Sequence, residues 1–258
     1  MSIRVNVDPT NPGQFFACCG LLELADRLWP GAQGRFAGRE FCITCGGELD
    51  DLIHHTTRAK LVQLDLDDDT ASPIEVQLPR GPLRLDWWHD DRAGGENLKV
   101  WAGTMRSVRI ARAMQHAMKN DRFLSPNMFD IGLVAYDPDD MDKKVEPFYF
   151  DARRGPNAHS RDVGFSPNDL EMTTTAFPAV ELFCLIGLQR TLPAKTNRHR
   201  IFDYYTWPDP ICPELLPPVV AGVIAVPGAR GYRFENWYRT GQKKHKAFRS
   251  AIPLPPGI

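Results

Sequence analysis

One stretch constrains this chain more than any other: Asn11-Pro-Gly-Gln-Phe-Phe-Ala-Cys-Cys-Gly-Leu-Leu-Glu-Leu-Ala-Asp-Arg-Leu-Trp29. Asn11 has a side-chain oxygen able to cap free N–H groups, Pro12 suits the first helical position, and Pro30-Gly31 supplies a stop. Between these marks Phe15, Phe16, Cys18, Cys19, Leu21, Leu22, Leu24, Ala25 and Leu28 cover most of the helix surface. Only a thin polar stripe remains at Gln14, Glu23, Asp26 and Arg27. A helix this apolar is buried on most sides. Its length approaches that of a membrane span, but Glu23, Asp26 and Arg27 would each be costly in hydrocarbon, so a buried core helix is expected instead. Ile3-Arg-Val-Asn-Val7 before it alternates like a strand, unlike the basic leader and small-residue cleavage site of a secretory signal. The expected opening is strand, sharp turn, buried helix.

A core of this kind has enough chain around it. The 258 residues are 43% hydrophobic and 24% charged, which suits one large domain spanning 1–258, with a sub-division near 120–130 as the alternative. With 22 prolines and 20 glycines, loops and turns must surround a modest set of regular elements. The expected fold class is α+β: a mixed or antiparallel sheet with several packed helices, irregular and loop-rich.

Six cysteines without a secretion signal point to a reducing, cytoplasmic setting in which thiols behave as small buried hydrophobes. Cys18, Cys19 and Cys184 lie inside apolar helical runs. Cys42-Ile-Thr-Cys45 has metal-ligand spacing, but a zinc site needs two further ligands at suitable spacing and none is evident, so neither metal nor cofactor is expected. The acids Asp65-Leu-Asp-Asp-Asp69 lack the glycine and terminal Glu of a calcium loop and read as a solvated turn.

Two further buried or half-buried helices follow from periodicity, over Glu48–Leu64 and Pro178–Gln189, and a third over Leu98–Lys119. Strands are expected in Arg35–Cys45, in Phe129–Tyr136, in Val145–Phe150 and in Ile201–Trp207. Pro73–Trp88, with prolines at 73, 79 and 82, fits edge strands or a hairpin. Asp90–Asn97 and the acidic run after Asp137 read as loops. No internal repeat, P-loop, dinucleotide fingerprint, nucleophile elbow or zinc-helix motif is present. The seven histidines are scattered, and the chain is not expected to be an enzyme.

Charge is where function becomes visible. The net charge of −1 divides into −7 over residues 1–194 and +6 over 195–258; within the first part, 48–91 hold eleven acids against four bases, and 98–122 six bases against one acid. Separated blocks of opposite sign suit anion binding or electrostatic assembly, or else ordinary solvated faces. On the helix expected over 98–119, Ile110, Met114 and Met118 form an apolar stripe, while Arg106, Arg109 and Arg112 recur on the other side. Without acids at i±4 these arginines repel one another unless an anion sits opposite, and phosphate is the obvious one. Arg153 and Arg154, followed by Gly-Pro, Asn157, Ser160 and Arg161, supply donors suited to phosphate oxygens; Asp151 and Asp162 are the internal alternatives. Near the C-terminus Arg239, Lys243, Lys244, Lys246 and Arg249 lie among Trp237, Tyr238 and Phe248, a mixture that can hold a nucleic-acid backbone and stack its bases.

Several blocks together carry a family resemblance: Asn11-Pro-Gly-Gln-Phe-Phe-Ala-Cys-Cys-Gly-Leu-Leu-Glu-Leu-Ala25, Leu98-Lys-Val-Trp-Ala-Gly103, Ile110-Ala-Arg-Ala-Met114, Pro147-Phe-Tyr-Phe-Asp-Ala-Arg-Arg-Gly155, Val163-Gly-Phe-Ser166 and Pro178-Ala-Val-Glu-Leu182. They span most of the chain, which resembles the CRISPR-associated proteins of type I-U systems, now called I-G, and within them the compact large-subunit-like component of the Cascade effector. The resemblance implies a bacterial cytoplasmic protein acting in antiviral defence inside an RNA-guided complex. Its partners would be CRISPR RNA, target DNA, other effector-complex subunits and the helicase-nuclease, with no membrane. In such complexes base pairing carries sequence specificity and protein contacts hold backbones. The competing expectations are a metal- or His-dependent nuclease, using the 65–69 acids or His159, and a structural protein–protein adaptor.

Overall fold

The computed structural model describes residues 1–90, 95–101, 105–154, 175–238 and 246–255, with the side chains of Tyr238 and Lys246 excepted. The α+β expectation holds: among the described residues, six α-helices and several small antiparallel sheets share one interior.

The first helix, α1 (Pro12–Leu28), forms as its sequence demands. The Asn11 side-chain oxygen accepts from Gly13 N at 3.1 Å and Gln14 N at 3.4 Å, and all but Asp26 and Arg27 of its residues are buried. Even the polar stripe is engaged, since Gln14 accepts from Asp8 N at 2.7 Å and buried Glu23 receives Arg27 from its own helix at 2.7 Å. Strand β1 (Ser2–Asn6) precedes it, and the hairpin β2 (Gln33–Ala37) and β3 (Glu40–Thr44) follows. The spatial order β1-β3-β2, antiparallel throughout, leaves β1 and β2 parallel with β3 between them. This is a split β-α-β unit.

The next stretch corrects the helix expected over 48–64. Helix α2 (Leu49–Arg58) stops early, and Lys60–Gln63 forms strand β4. Thr56 and Thr57 turn their hydroxyls back onto the carbonyls of Leu52 and Ile53 at 2.8 and 2.9 Å, and Ala59 then takes an extended conformation. The four residues beyond pair with β5 (Ile74–Leu78), which pairs on its other side with β6 (Gly81–Leu85). The hairpin expectation is right, but β5 is central in its sheet rather than at an edge. The prolines avoid it: Pro73 and Pro79 flank β5, and Pro82 lies on the edge strand β6.

A single helix over 98–119 is also corrected. Gly95–Leu98 forms the one-turn α3, part of what reads as a loop, and α4 begins only at Ser107 and ends at Ala117. Its start is pinned from outside, since Ser107 donates through N to Thr70 O at 3.2 Å and through Oγ to Ser72 O at 2.9 Å.

The strands expected over 129–136 and 145–150 are replaced by other structure. Met128–Asp130 is a short 3-10 turn, Leu133 makes one isolated bridge to Ala176, and Tyr136–Asp137 (β7) pairs with Asp140–Lys144 (β8) inside the run that reads as an acidic loop. Residues 145–150 form no ladder because their backbone groups are satisfied elsewhere. Val145 N bonds Ala135 O, while Phe150 N and Asp151 N both donate to the Glu181 carboxylate, at 3.2 and 3.1 Å.

Helix α5 (Pro178–Arg190) is buried along its length and lies against α1. The contact centres on two glycines. A Cβ on Gly20 would lie 2.0 Å from Phe183 O, and one on Gly187 would lie 2.0 Å from Phe16 O, so the backbones themselves touch. Past that point Arg190 reaches the buried Glu23 at 2.5 Å. The chain ends in β9 (Ala194–Lys195), β10 (Ile201–Thr206), the short α6 (Leu216–Val220), and β11 (Arg230–Tyr238), β12 (Lys246–Phe248) and β13 (Ile252–Pro253). The terminal sheet runs β12-β11-β10-β9 with β13 also on β11. Phe15, Phe36, Tyr204 and Trp207 cluster where α1 meets this sheet and the first one, Phe15 stacked on Phe36 and Trp207 edge-on to Phe36. None of the helices among the described residues is long and apolar enough to cross a membrane.

Candidate nucleic-acid interface

Arg109 and Arg112 lie on the outer side of α4 and Arg106 stands at its N-cap position, while Ile110 and Met114, with Met118 at the C-cap, enter the core. The three arginines line one cleft of about 310 Å³ between α4, the 65–69 turn and the β7–β8 hairpin. Each arginine meets a carboxylate there. Arg106 Nε lies 2.8 Å from Asp69 and Arg109 Nη2 2.6 Å from Asp137; Arg112 Nη1 is 3.9 Å from Asp139, while its Nη2 donates to Leu61 O at 3.2 Å.

The anion that sequence reasoning placed opposite these arginines is therefore present within the chain. Asp69, Asp137, Asp139 and Asp140 face Arg106, Arg109, Arg112 and Lys143 across the cleft. Sequence reading left Lys143, Asp137, Asp139 and Asp140 as loop residues and Asp69 as part of a solvated turn. The available signal was the acidic run after Asp137, which with Asp69 meets the basic block of 98–122 here in space.

The pairs are unequal. Arg109 and Asp137 are 26% and 13% exposed, whereas Arg106 with Asp69 (59% and 42%) and Arg112 with Asp139 (44% and 81%) lie in solvent. Exposed pairs contribute roughly 0–1 kcal/mol, so the outer two are readily exchanged for another anion.

Arg153 and Arg154 are placed differently. Arg153 donates to Asp151 through Nε at 2.9 Å and Nη2 at 2.7 Å, to Asp130 through Nη1 at 2.8 Å and to Phe129 O through Nη2 at 2.6 Å, and its guanidinium covers the Phe177 ring. Arg154 is 8% exposed. The pair reads as a phosphate-binding loop in sequence; of the two internal alternatives, Asp151 does take Arg153, and Asp162 lies outside the described residues. Arg154 is buried, and Arg153, though exposed, has its guanidinium engaged by Asp151, Asp130 and Phe129 O, because the loop folds back over the starts of α1 and α5. There Asn11 accepts from Ala152 N at 3.1 Å and donates to buried Asp151 at 3.1 Å.

Arg161, Asp162, His159, Arg239, Lys243 and Lys244 lie outside the described residues, as does the Lys246 side chain, although the Lys246 backbone belongs to β12. Arg249 pairs with Glu235 at 3.4 Å and lies over the Trp237 ring. In the 65–69 turn, Asp65 and Asp68 spend their carboxylates on local N–H groups, Asp65 on Asp67 and Asp68, Asp68 on Thr70 and Ala71. The Thr70 hydroxyl in particular holds the Asp68 carboxyl below its usual range. Among the described residues no cluster of three or more His, Cys, Asp or Glu side chains is arranged to hold a metal ion.

Comparison with protein-family models, with curated proteins and with solved structures returns no match for this chain.

Proposed function

We propose that this protein is a non-catalytic subunit of a CRISPR type I-U (I-G) RNA-guided effector complex, holding nucleic-acid backbone during recognition of target DNA in the bacterial cytoplasm. The sequence blocks beginning at Asn11, Leu98, Pro147 and Pro178 support the family, and its partners would be CRISPR RNA, target DNA, the other subunits and the helicase-nuclease. The observation that carries the binding role is the α4 cleft. Its outer arginines, Arg106 and Arg112, sit at solvent in weak pairs that a phosphate can displace, while the more buried Arg109–Asp137 pair holds the helix against the hairpin.

The test is a salt titration of labelled duplex DNA and of RNA with wild type and with Arg106→Ala/Arg112→Ala, keeping Arg109. Each lost phosphate contact should lower the magnitude of the log–log salt slope by about 0.9 on duplex DNA. A variant with the wild-type slope would remove the cleft from the binding surface, and cleavage of either probe in the presence of magnesium would favour the nuclease. The adaptor is a second reading with its own support: four bases facing four acids across one cleft suit a mixed protein surface as well as a phosphate chain. Co-purification of the double variant with the complex separates the two, since an adaptor surface would lose its partner and a backbone contact would lose only nucleic acid.

A further inference from the structure

Basic side chains continue along α4 past the cleft, and a second set of contacts gathers more of them there. Three hydrogen bonds hold the chain that leads from α2 into β4 against α4. Gln115 Nε2 donates to Thr56 O at 2.8 Å and to Ala59 O at 2.7 Å, and Arg112 Nη2 donates to Leu61 O at 3.2 Å. With 61 beside 112 and 56 beside 115, the segment passes α4 antiparallel. Arg58 and Lys60 fall between the bonded carbonyls and are exposed. On α4 itself His116 stands one turn beyond Arg112 on the same outer side, and exposed Lys119 follows the C-cap at Met118.

Two of these groups have a local reason to be where they are. Arg58 and His116 lie in the last turns of α2 and α4, where a base complements the helix dipole. Lys60 opens a strand and Lys119 lies past the end of α4, so the dipoles explain neither as well. Among the described residues no carboxylate lies within ion-pair distance of Arg58, Lys60, His116 or Lys119. Glu75, diagonal to Lys60 across the β4–β5 ladder, receives Gln77 at 3.5 Å instead. Asp121, two residues past Lys119, pairs with none of the four. The α4 cleft supplies an acid for each of its arginines; the edge beyond it leaves its bases to solvent.

We propose that this edge takes the phosphate backbone of a nucleic-acid strand that enters at the α4 cleft, so that one strand passes Arg106 and Arg112 and continues over Lys60, Arg58, His116 and Lys119. At about 1.5 Å per residue the row from Arg106 to Lys119 is about 20 Å long, and one strand of a duplex advances about 3.4 Å per phosphate, so about six phosphates match its length. Bases spread along such a row, with no acid paired to them, suit a polyanion that repeats its charge at short intervals. The nucleic-acid part rests on the function proposed above; the continuation beyond the cleft rests on the Gln115 and Arg112 contacts that bring Arg58 and Lys60 to α4.

The experiment titrates labelled duplex DNA by fluorescence anisotropy at several salt concentrations with the full chain and three variants. Arg58→Ala/Lys60→Ala/Lys119→Ala tests the edge and Arg106→Ala/Arg112→Ala the cleft. Arg4→Ala/Arg35→Ala/Arg39→Ala removes three exposed charges from the β1-β3-β2 sheet and its turn, and so controls for net charge. A wild-type melting curve establishes folding; if loss of Arg58 from the end of α2 lowers it, Lys60→Ala/Lys119→Ala takes the place of the triple variant. The expected result for the edge is roughly tenfold weaker binding and a salt slope smaller by about 0.9 per lost contact, with the control close to wild type. An edge variant whose slope equals that of wild type, or falls no further than the control, overturns the continuation, and a reduced slope in the cleft variant then leaves the cleft reading intact. An edge variant that binds DNA as wild type does but no longer co-purifies with the effector complex makes the occupant an acidic protein face and overturns the strand. Failure of wild type to bind DNA or RNA at low salt overturns both.

Discussion

Glu181 is fully buried in the first turn of α5, and its two carboxylate oxygens accept the N–H groups of Phe150 and Asp151. Burial pushes its carboxyl up to about 8 from an ordinary 4.5; the Asp151 carboxylate adds to the rise, while those two N–H groups and the Arg154 charge oppose it. Between these two values the folded chain holds a proton that the unfolded chain has released. The contribution of Glu181 to stability is therefore greatest below about 4.5, falls as pH rises through the window, and levels off above about 8. Glu181→Gln is neutral in both states, so its urea midpoint should lack this part of the decline even though the amide replaces one acceptor by a donor and lowers stability overall. Parallel pH profiles for the two proteins would show that Glu181 is ionised in the fold. The role of Asn11 as cap was legible because a cap acts within three residues. The role of Glu181 was not, because a single Glu in an apolar helix gives no sign of which N–H groups, thirty residues back, it will receive.

At the scale of elements, the contact between α1 and α5 fixes where everything else can go. Gly187→Ala would place a methyl 2.0 Å from Phe16 O and 2.7 Å from Gly20 N, and backbone on both sides cannot give way as a side-chain tip would. The expected loss is about 3 kcal/mol in urea unfolding. Gly46→Ala is the matched control: Gly46 is exposed and the nearest atoms to its Cβ would be those of Trp29, at an ordinary 3.4 Å, so the change should stay within about 0.5 kcal/mol. Equal midpoints for the two variants would mean that the helices stand further apart than the glycines allow. Both helices were readable in the sequence because their apolar runs are long and marked by proline. The errors fell on short runs, where periodicity cannot tell a strand from a segment whose N–H groups are taken by distant partners. Val145–Phe150 has the composition of a strand, yet its end bonds Glu181. Lys60–Gln63 looks like the tail of a helix, but Ala59 before it turns extended and the four residues pair with β5 instead.

The whole molecule is tied across its length, and this bears on whether 1–258 is one unit or two. Residues on either side of 120–130 share a single hydrophobic cluster running from Ile3 to Ala251. The polar contacts cross the same line: Trp207 Nε1 donates to Gly34 O at 2.7 Å, Tyr204 OH to Pro9 O at 2.7 Å, and Ala251 N to Thr10 O at 2.7 Å, beside the Glu23–Arg190 pair. A chain cut at 120–130 would leave α1 without α5, exposing two helices that are apolar on nearly every side. Neither half could then bury enough surface to offset the entropy of ordering it. Unfolding should accordingly be a single cooperative transition. Trp29, Trp87, Trp88 and Trp101 report from one side of the line and Trp207 and Trp237 from the other, so tryptophan fluorescence samples both sides. Its urea curve should superimpose on the one followed by far-ultraviolet circular dichroism. Two resolved transitions, or a folded proteolytic fragment ending between 120 and 130, would divide the protein into two domains and make the α1–α5 contact an interface between them.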